Sequence, residues 1–86
     1  MSSERPSFGK GVKLRREADG AAILLVPEAA LALNPSAAAA LGLVDGAHTV
    51  DEIVASVVDQ FEVEPAQARD DVTALFDRLA ARGFLR

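Results

Sequence analysis

The stretch LLVPEAALALNPSAAAA (residues 24–40) decides the predicted fold. It confines a five-residue apolar segment, Ala29–Leu33, between Pro27 and Pro35. Proline lacks a backbone N–H and has a fixed φ, so it rarely lies inside a helix or a central strand. The segment is too short and too tightly bounded for a core element, and we expect it to form a short edge strand after a bend at Pro27.

The residues before this segment predict a β-hairpin. VKLRREA (12–18) and AAILLV (21–26) flank Asp19-Gly20, a dipeptide that provides the positive φ values of a type I′ turn. With Asp19 and Gly20 as the two central residues, Leu14 faces Leu25 across the hairpin. In this register the residues that share a face with them are Val12 and Ile23, and those on the opposite, partly exposed face are Lys13, Arg15, Leu24 and Val26.

Two helices are predicted from their end signals. Asn34 is a favourable N-cap and Pro35 occupies the favoured first helical position, while Asp45-Gly46 predicts the end of this first helix. Thr49 and Glu52 have the spacing of a capping box at the start of the second helix. The apolar stripe of the second helix consists of Val50, Ile53, Val54, Val57, Val58 and Phe61.

A third helix is predicted from about Pro65 to about Arg82, followed by a glycine stop at Gly83. Its apolar side carries Val72, Leu75, Phe76 and Leu79. Phe84 and Leu85 are then expected to return to the core.

The element order predicts an α+β, winged-helix-like domain. A three-stranded antiparallel sheet, made of the hairpin plus the short edge strand, is followed by a three-helix bundle that covers its apolar face. Residues 1–10 are interpreted as a flexible N-terminal tail and residues 11–86 as a single domain, because 86 residues leave little room for a second one.

The charge distribution is uneven. Up to Arg16 the chain carries five basic residues against Glu4 alone, whereas the rest is acidic and the net charge is −4. The basic segment is either a solvated strand and tail or a docking surface for an acidic partner. The acidic body disfavours nucleic acid as a partner. No segment has the pattern of a signal peptide or the length of a membrane span, so the prediction is a cytoplasmic protein without a membrane partner.

The chain offers few residues for catalysis or metal binding. It has no cysteine and a single histidine, His48, in a turn between two predicted helices. Metal sites and nucleophilic centres need several convergent groups, and no phosphate-binding loop or catalytic triad set is present. We therefore expect neither an enzyme nor a bound cofactor. The alternative is a small winged-helix DNA-binding regulator. Against this alternative, the acidic residues of the third helix balance its arginines, so the helix has no net attraction to phosphate.

The uncharged segment AALAL allows two interpretations. Its residues are ordinary core filler in a strand too short to matter, or they form an edge along which a peptide adds as a further strand.

Several pieces of the chain, in their order and spacing, resemble the PqqD family, peptide chaperones of pyrroloquinoline quinone (PQQ) biosynthesis. The pieces are GVKLRR (11–16), ILLVPE (23–28), LN (33–34), DG (45–46), TVDEIV (49–54), DV (71–72) and LAARGFL (79–85). The family also supplies the recognition domain of many systems that modify ribosomal peptides.

The resemblance implies a function and a site. It implies that the leader of a precursor peptide, PqqA-like, lies as an added strand beside the edge strand and the third helix, and that the chain delivers it to a PqqE-like radical S-adenosylmethionine enzyme. Carried onto this chain, the peptide-binding residues are Ala29, Ala30, Leu31, Ala32 and Leu33 on the strand and Arg69, Val72, Thr73 and Phe76 on the helix. Lys13 and Arg15 are weaker candidates for docking the enzyme. The exposed edge also allows either a monomer or a strand-swapped dimer.

Overall fold

A three-stranded sheet precedes three helices in the computed structural model, which describes residues 4–19 and 21–86. The elements are β1 (Lys13–Arg16), β2 (Ala22–Val26), β3 (Ala29–Leu33), α1 (Pro35–Leu41), α2 (Val50–Phe61) and α3 (Pro65–Ala81). The strands are antiparallel in the order β1-β2-β3. This architecture confirms the predicted α+β, winged-helix-like arrangement of a sheet followed by three helices.

The register of the first hairpin differs from the prediction by one residue. Leu14 pairs with Leu24 rather than with Leu25, and the Glu17 N–H donates to the Ala21 carbonyl at 2.8 Å, so three residues separate the closing pair. Gly20 of the predicted two-residue turn lies outside the described residues. A one-residue slip turns every side chain to the other face of a strand. Residues Val12, Ala22, Leu24 and Val26 are therefore buried, with Leu14 packed against them.

The physical reason for this difference lies in β2. Its sequence AILLV is apolar at every position, so alternation does not distinguish its two faces. In the structure Leu24 is completely buried, whereas Ile23 and Leu25 are half-buried on the other face. Burial against the helices thus outweighs the preference of Asp-Gly for a two-residue loop.

The second hairpin joins β2 to β3 through Pro27 and Glu28. Val26 pairs directly with Ala29, so Pro27 and Glu28 form the whole loop. Glu28 has φ 65°, a left-handed conformation that is unusual for a residue with a side chain. The predicted third strand, Ala29–Leu33, is confirmed with the same bounds.

The helix starts follow the predicted caps. The Asn34 side chain accepts a hydrogen bond from Ala37 N–H at 2.7 Å. Thr49 and Glu52 form both hydrogen bonds of the capping box at the start of α2, at 2.7 and 3.1 Å. The predicted end of α1 at Asp45 was wrong: the helix ends at Leu41 and the chain continues in turns. Within residues 4–19 and 21–86, no helix is long and apolar enough to cross a membrane.

The core lies between the inner face of the sheet and the three helices. Its largest completely buried side chains are Leu24, Leu41 and Ile53, one each from β2, α1 and α2. Leu85 is also buried, which confirms the predicted return of the C-terminal residues.

The N-terminal segment runs alongside the C-terminal residues. Gly9 N–H donates to the Phe84 carbonyl at 2.8 Å, and Arg86 N–H donates to the Ser7 carbonyl at 2.9 Å. The described part of the predicted tail, residues 1–10, is thus held by backbone hydrogen bonds. Backbone groups at both ends of the chain satisfy one another here, a pairing that no local sequence pattern announces.

Candidate functional site

Strand β3 and helix α3 enclose an open groove, which we call the β3–α3 groove. It has a volume of about 270 Å³. It is lined by Leu24, Leu31, Ala32 and Leu33 from the sheet and by Leu75, Arg78, Leu79 and Arg82 from α3. Leu31 and Leu33 are half-buried against the core, whereas Ala30 and Ala32 are exposed. Of the five predicted strand residues, Leu31, Ala32 and Leu33 line this groove, and Ala29 and Ala30 do not.

The outer edge of β3 presents free backbone groups. Apart from its ladder with β2, the strand makes no backbone–backbone hydrogen bond within the described residues. The pair Val26–Ala29 must be of the hydrogen-bonded type, because the alternative pattern needs an N–H from Pro27. Since the two types of pair alternate along the ladder, Ala30 and Ala32 direct their N–H and C=O groups to the open edge.

The helix wall of the groove is apolar at its base and basic at its rim. Leu75, Arg78, Leu79 and Arg82 are spaced i, i+3, i+4 and i+7, which places them on one face of α3. Leu79 is buried and Leu75 half-buried, whereas the two arginines are exposed. An extended chain added to β3 would meet aliphatic side chains below and guanidinium groups above.

The helix residues predicted from the sequence lie elsewhere on α3. Arg69, Thr73 and Phe76 line a separate cavity of about 580 Å³ on the side of the N-terminal segment. Val72 is buried and lines a cavity between α1 and α3. The structure does not bring these four residues to the strand, because their stripe lies about a third of the way around the helix from the groove. Their peptide-binding role stays a prediction.

Arg69 already has a partner. Its guanidinium Nη2 lies 2.9 Å from Asp51 Oδ1 at the start of α2. This ion pair ties the second helix to the third and engages the guanidinium of one of the predicted peptide-binding residues.

Sequence reasoning missed Arg78 and Arg82 as groove residues. Leu75 and Leu79 were assigned to the apolar side of the helix, but the cations at the same helical spacing were not connected with them. The signal was present: two arginines flank the apolar stripe on the third predicted helix.

The cavity that Val72 lines between α1 and α3 adjoins the groove. It has a volume of about 330 Å³, shares Leu75 and Arg78 with the groove, and extends to Asn34 and Asp71. The Asp71 carboxylate accepts a hydrogen bond from Gln67 at 2.9 Å. The two cavities therefore adjoin at Leu75 and Arg78, and the second reaches the start of α1.

The predicted docking residues Lys13 and Arg15 lie on the outer face of the sheet. In the observed register they pair with Leu25 and Ile23, so the cations flank a half-buried apolar strip. The Arg15 guanidinium also forms an ion pair with Glu17 at 2.8 Å. This face is opposite the helices and does not overlap the lining of the β3–α3 groove.

The described residues contain little that suggests catalysis. Among residues 4–19 and 21–86, no group of three histidine or acidic side chains is arranged to hold a metal ion. His48 Nδ1 lies 3.0 Å from Asp45 Oδ2, where the backbone N–H groups of Ala47 and His48 also donate to the carboxylate. Hydrogen bonds lower the pKa of Asp45; the bond from the Ala47 N–H has the largest effect and the bond from the His48 side chain the next largest. This arrangement closes the turn between α1 and α2.

Known proteins with similar sequences share one family. A family model described as coenzyme PQQ synthesis protein D (PqqD) matches residues 21–85. A PqqA binding protein of Rhodopseudomonas palustris (strain BisB5) is 33% identical over 84 residues, covering 96% of this chain and 82% of that protein. A PqqA binding protein of Stutzerimonas stutzeri (strain A1501) is 38% identical over 73 residues, with 84% and 78% covered.

A fused relative and a solved structure extend this likeness. The bifunctional coenzyme PQQ synthesis protein C/D of Methylorubrum extorquens is 33% identical over 84 residues, which span 96% of this chain and 23% of the fusion. The NMR structure of the PqqD truncation of Methylobacterium extorquens PqqCD matches with a TM-score of 0.76 and 32% identity, covering 94% of this chain and 87% of that one. It is described as a stand-alone recognition element for ribosomally synthesised, post-translationally modified peptides.

Proposed function

The chain belongs to the PqqD family, and we propose that it is a non-catalytic chaperone that binds the leader of a PqqA-like precursor peptide in PQQ biosynthesis. Relatives that cover most of its length are described as PqqA binding proteins. The predicted family and the predicted absence of catalysis agree with those descriptions.

The free edge of β3 is the observation that carries this proposal. A peptide can extend the sheet by bonding to the N–H and C=O groups of Ala30 and Ala32. Its side chains on the helix side then reach the apolar floor of the β3–α3 groove. Main-chain hydrogen bonds supply affinity in this mode, and the groove residues supply register and selectivity.

Delivery to a PqqE-like radical S-adenosylmethionine enzyme is the second part of the proposal. A peptide in the groove leaves the outer face of the sheet uncovered, so Lys13 and Arg15 can serve as docking cations for the enzyme. Their apolar neighbours Ile23 and Leu25 would contribute buried area to such a contact. The cytoplasmic location and the choice between a monomer and a strand-swapped dimer remain predictions.

A titration followed by two-dimensional amide NMR tests peptide binding. A synthetic PqqA-like precursor peptide is added to the labelled chain, and shifts are expected at Ala30 and Ala32. On α3 the same data distinguish two sets of residues. The groove face consists of Leu75, Arg78, Leu79 and Arg82. The stripe predicted from the sequence consists of Arg69, Val72, Thr73 and Phe76. Shifts confined to β1 and β2, or saturation without any change at β3, would overturn strand addition as the binding mode.

A further inference from the structure

Two cations at the rim of the β3–α3 groove make no ion pair or hydrogen bond within the described residues. Arg78 and Arg82 are exposed and line the groove, whereas Arg69 on the same helix is paired with Asp51 at 2.9 Å. Resting on the proposed function, we propose that Arg78 and Arg82 select the peptide, favouring acidic side chains on the face of the added strand that looks towards α3.

The spacing of the two arginines suits an extended ligand. Side chains at i and i+4 of a helix lie about 5–6 Å apart at their Cβ atoms. Alternate side chains of a strand share a face and lie about 6.6 Å apart. Carboxylates at peptide positions i and i+2 can therefore each meet one guanidinium. Charge-assisted hydrogen bonds of this kind are stronger than neutral ones and set the register along an otherwise repetitive edge.

The groove is also electrically polarised along its length. Arg82 lines only the sheet-centred part, Arg78 lines both cavities, and Asp71 lines only the continuation towards Asn34. Asn34, which follows β3, lines the cavity that holds Asp71, whereas Leu31, Ala32 and Leu33 line the groove that holds Arg82. A carboxylate is favoured beside Arg78 and Arg82 and repelled beside Asp71, so the orientation of the bound peptide follows from its charge pattern.

Exposure limits the size of the effect. Exposed ion pairs contribute little individually, which corresponds to a loss of roughly two- to fivefold in affinity for each arginine removed. Removal of both should weaken binding by about tenfold, and the loss should shrink as ionic strength rises from about 0.01 M to about 1 M, where the Debye length is only about 3 Å.

The experiment compares two peptides and several full-length variants by NMR titration and calorimetry. The probes are a synthetic PqqA-like precursor peptide and a copy with every Asp and Glu replaced by Asn and Gln. We expect the amide copy to bind the natural chain about tenfold more weakly, and the double variant Arg78→Gln/Arg82→Gln to bind both probes equally. Lys10→Gln, which removes an exposed cation that lines neither cavity, is the control, and Asp71→Asn should retain or increase affinity.

The outcomes distinguish the inference from the function on which it rests. If both probes shift β3 with equal affinity, or if Lys10→Gln loses as much as the groove variants, the arginines do not select the peptide although strand addition stands. If the precursor peptide does not bind at all, the proposed function itself fails. A Lys-substituted peptide that regains affinity for Arg78→Glu/Arg82→Glu would establish direct pairing.

Discussion

The two edges of the sheet differ in charge, and this difference leaves only one of them suited to pair with a peptide. The edge at β1 has the sequence KLRR, in which three of four residues are cations, whereas the edge at β3 has the uncharged sequence AALAL. Charge on an edge strand discourages other strands from pairing with it. Only the β3 edge combines free backbone groups with small, uncharged side chains.

The surroundings of the two edges reinforce this difference. Beside β3 lies the groove formed with α3. At the other edge, Arg16 extends from β1 to the Ala38 carbonyl at 3.4 Å and so contributes to attachment of the sheet to α1. One sheet thus has an edge protected by charge and an edge suited to accept a chain.

Leu24→Ala should have the strongest effect, because it should destabilise both edges of the sheet. Leu24 is completely buried in the central strand and pairs with Leu14 on one side and Leu31 on the other. We expect a loss of about 2–5 kcal/mol in the free energy of unfolding, measured by chemical denaturation. Ala74→Gly, at an exposed position on α3, is a milder control. A loss below that of the control would show that the core does not depend on this side chain.

Proline substitution at Ala32 should impair strand addition at the β3 edge without affecting the β1 edge. Its N–H faces the open side of β3, so the ladder with β2 is retained while a backbone donor to an added strand is lost. We expect at least a tenfold loss of affinity for a PqqA-like peptide, which corresponds to about 1.4 kcal/mol.

Arg16→Pro is the control at the β1 edge, compared with Arg16→Ala, which loses the same contact with Ala38 without the proline. Alternation along the ladder directs the Arg16 N–H to the open side of β1, so the sheet should again survive. Peptide affinity, measured by calorimetry with circular dichroism as the test of folding, should stay near that of the natural chain. Equal losses in the two proline variants would contradict the distinction between the edges.

Deletion of Ala18 tests what sets the register of the first hairpin. The closing pair Glu17–Ala21 would then enclose only Asp19-Gly20, the two-residue loop that this dipeptide prefers. We expect the Leu14–Leu24 register to persist and the stability to change by less than about 1 kcal/mol. Cross-strand nuclear Overhauser effects report the register directly. A shift of Leu14 to face Leu25, which would restore a three-residue loop, would mean that loop length rather than burial controls the ladder.

The smallest effect is expected at Glu52, which lies on neither edge and tests whether stability can change while recognition does not. The Thr49 backbone N–H lowers the pKa of Glu52 below its ordinary value of 4.5. The stabilisation is therefore present above that value and is lost as the pH falls through the lower pKa of the folded state. Glutamine accepts the same hydrogen bond without titrating.

Glu52→Gln should accordingly show a smaller fall in melting temperature between about pH 7 and about pH 3 than the natural chain. Asp59→Asn, at an exposed position on the same helix, is the control. Peptide affinity at neutral pH should be unaltered in both. An identical pH profile for Glu52→Gln and the natural chain would contradict the role assigned to the capping carboxylate.

Local signals in the sequence were sufficient for much of the architecture. Pro27 and Pro35 lie on either side of β3 as predicted, and Asn34 and Thr49 cap their helices as predicted. These features depend on hydrogen bonds and steric limits within a few residues, so a local pattern contains the necessary information. The end of α1 was placed too late because an alanine-rich run favours helix without defining where it stops.

The position of the groove residues on α3 required the tertiary structure. Val72 and Phe76 belong to the same amphipathic helix as Leu75 and Leu79, and periodicity alone does not tell which flank meets the strand. The difference decides whether Arg69 or Arg78 faces a bound peptide. The sequence did mark the uncharged edge Ala29–Leu33 as the place to look, and its position in the groove agrees with that interpretation.

By itself, then, the sequence determined the kinds of element, their order and the uncharged edge, because prolines, caps and charge act over short distances. Only the tertiary structure decided the register of the first hairpin and the helix face beside β3. A strand that is apolar on both faces, and a helix with a broad apolar side, each allow two local solutions of similar quality. The choice between them depends on which one completes the shared core around Leu24 and Leu41, residues that are 17 positions apart in the chain.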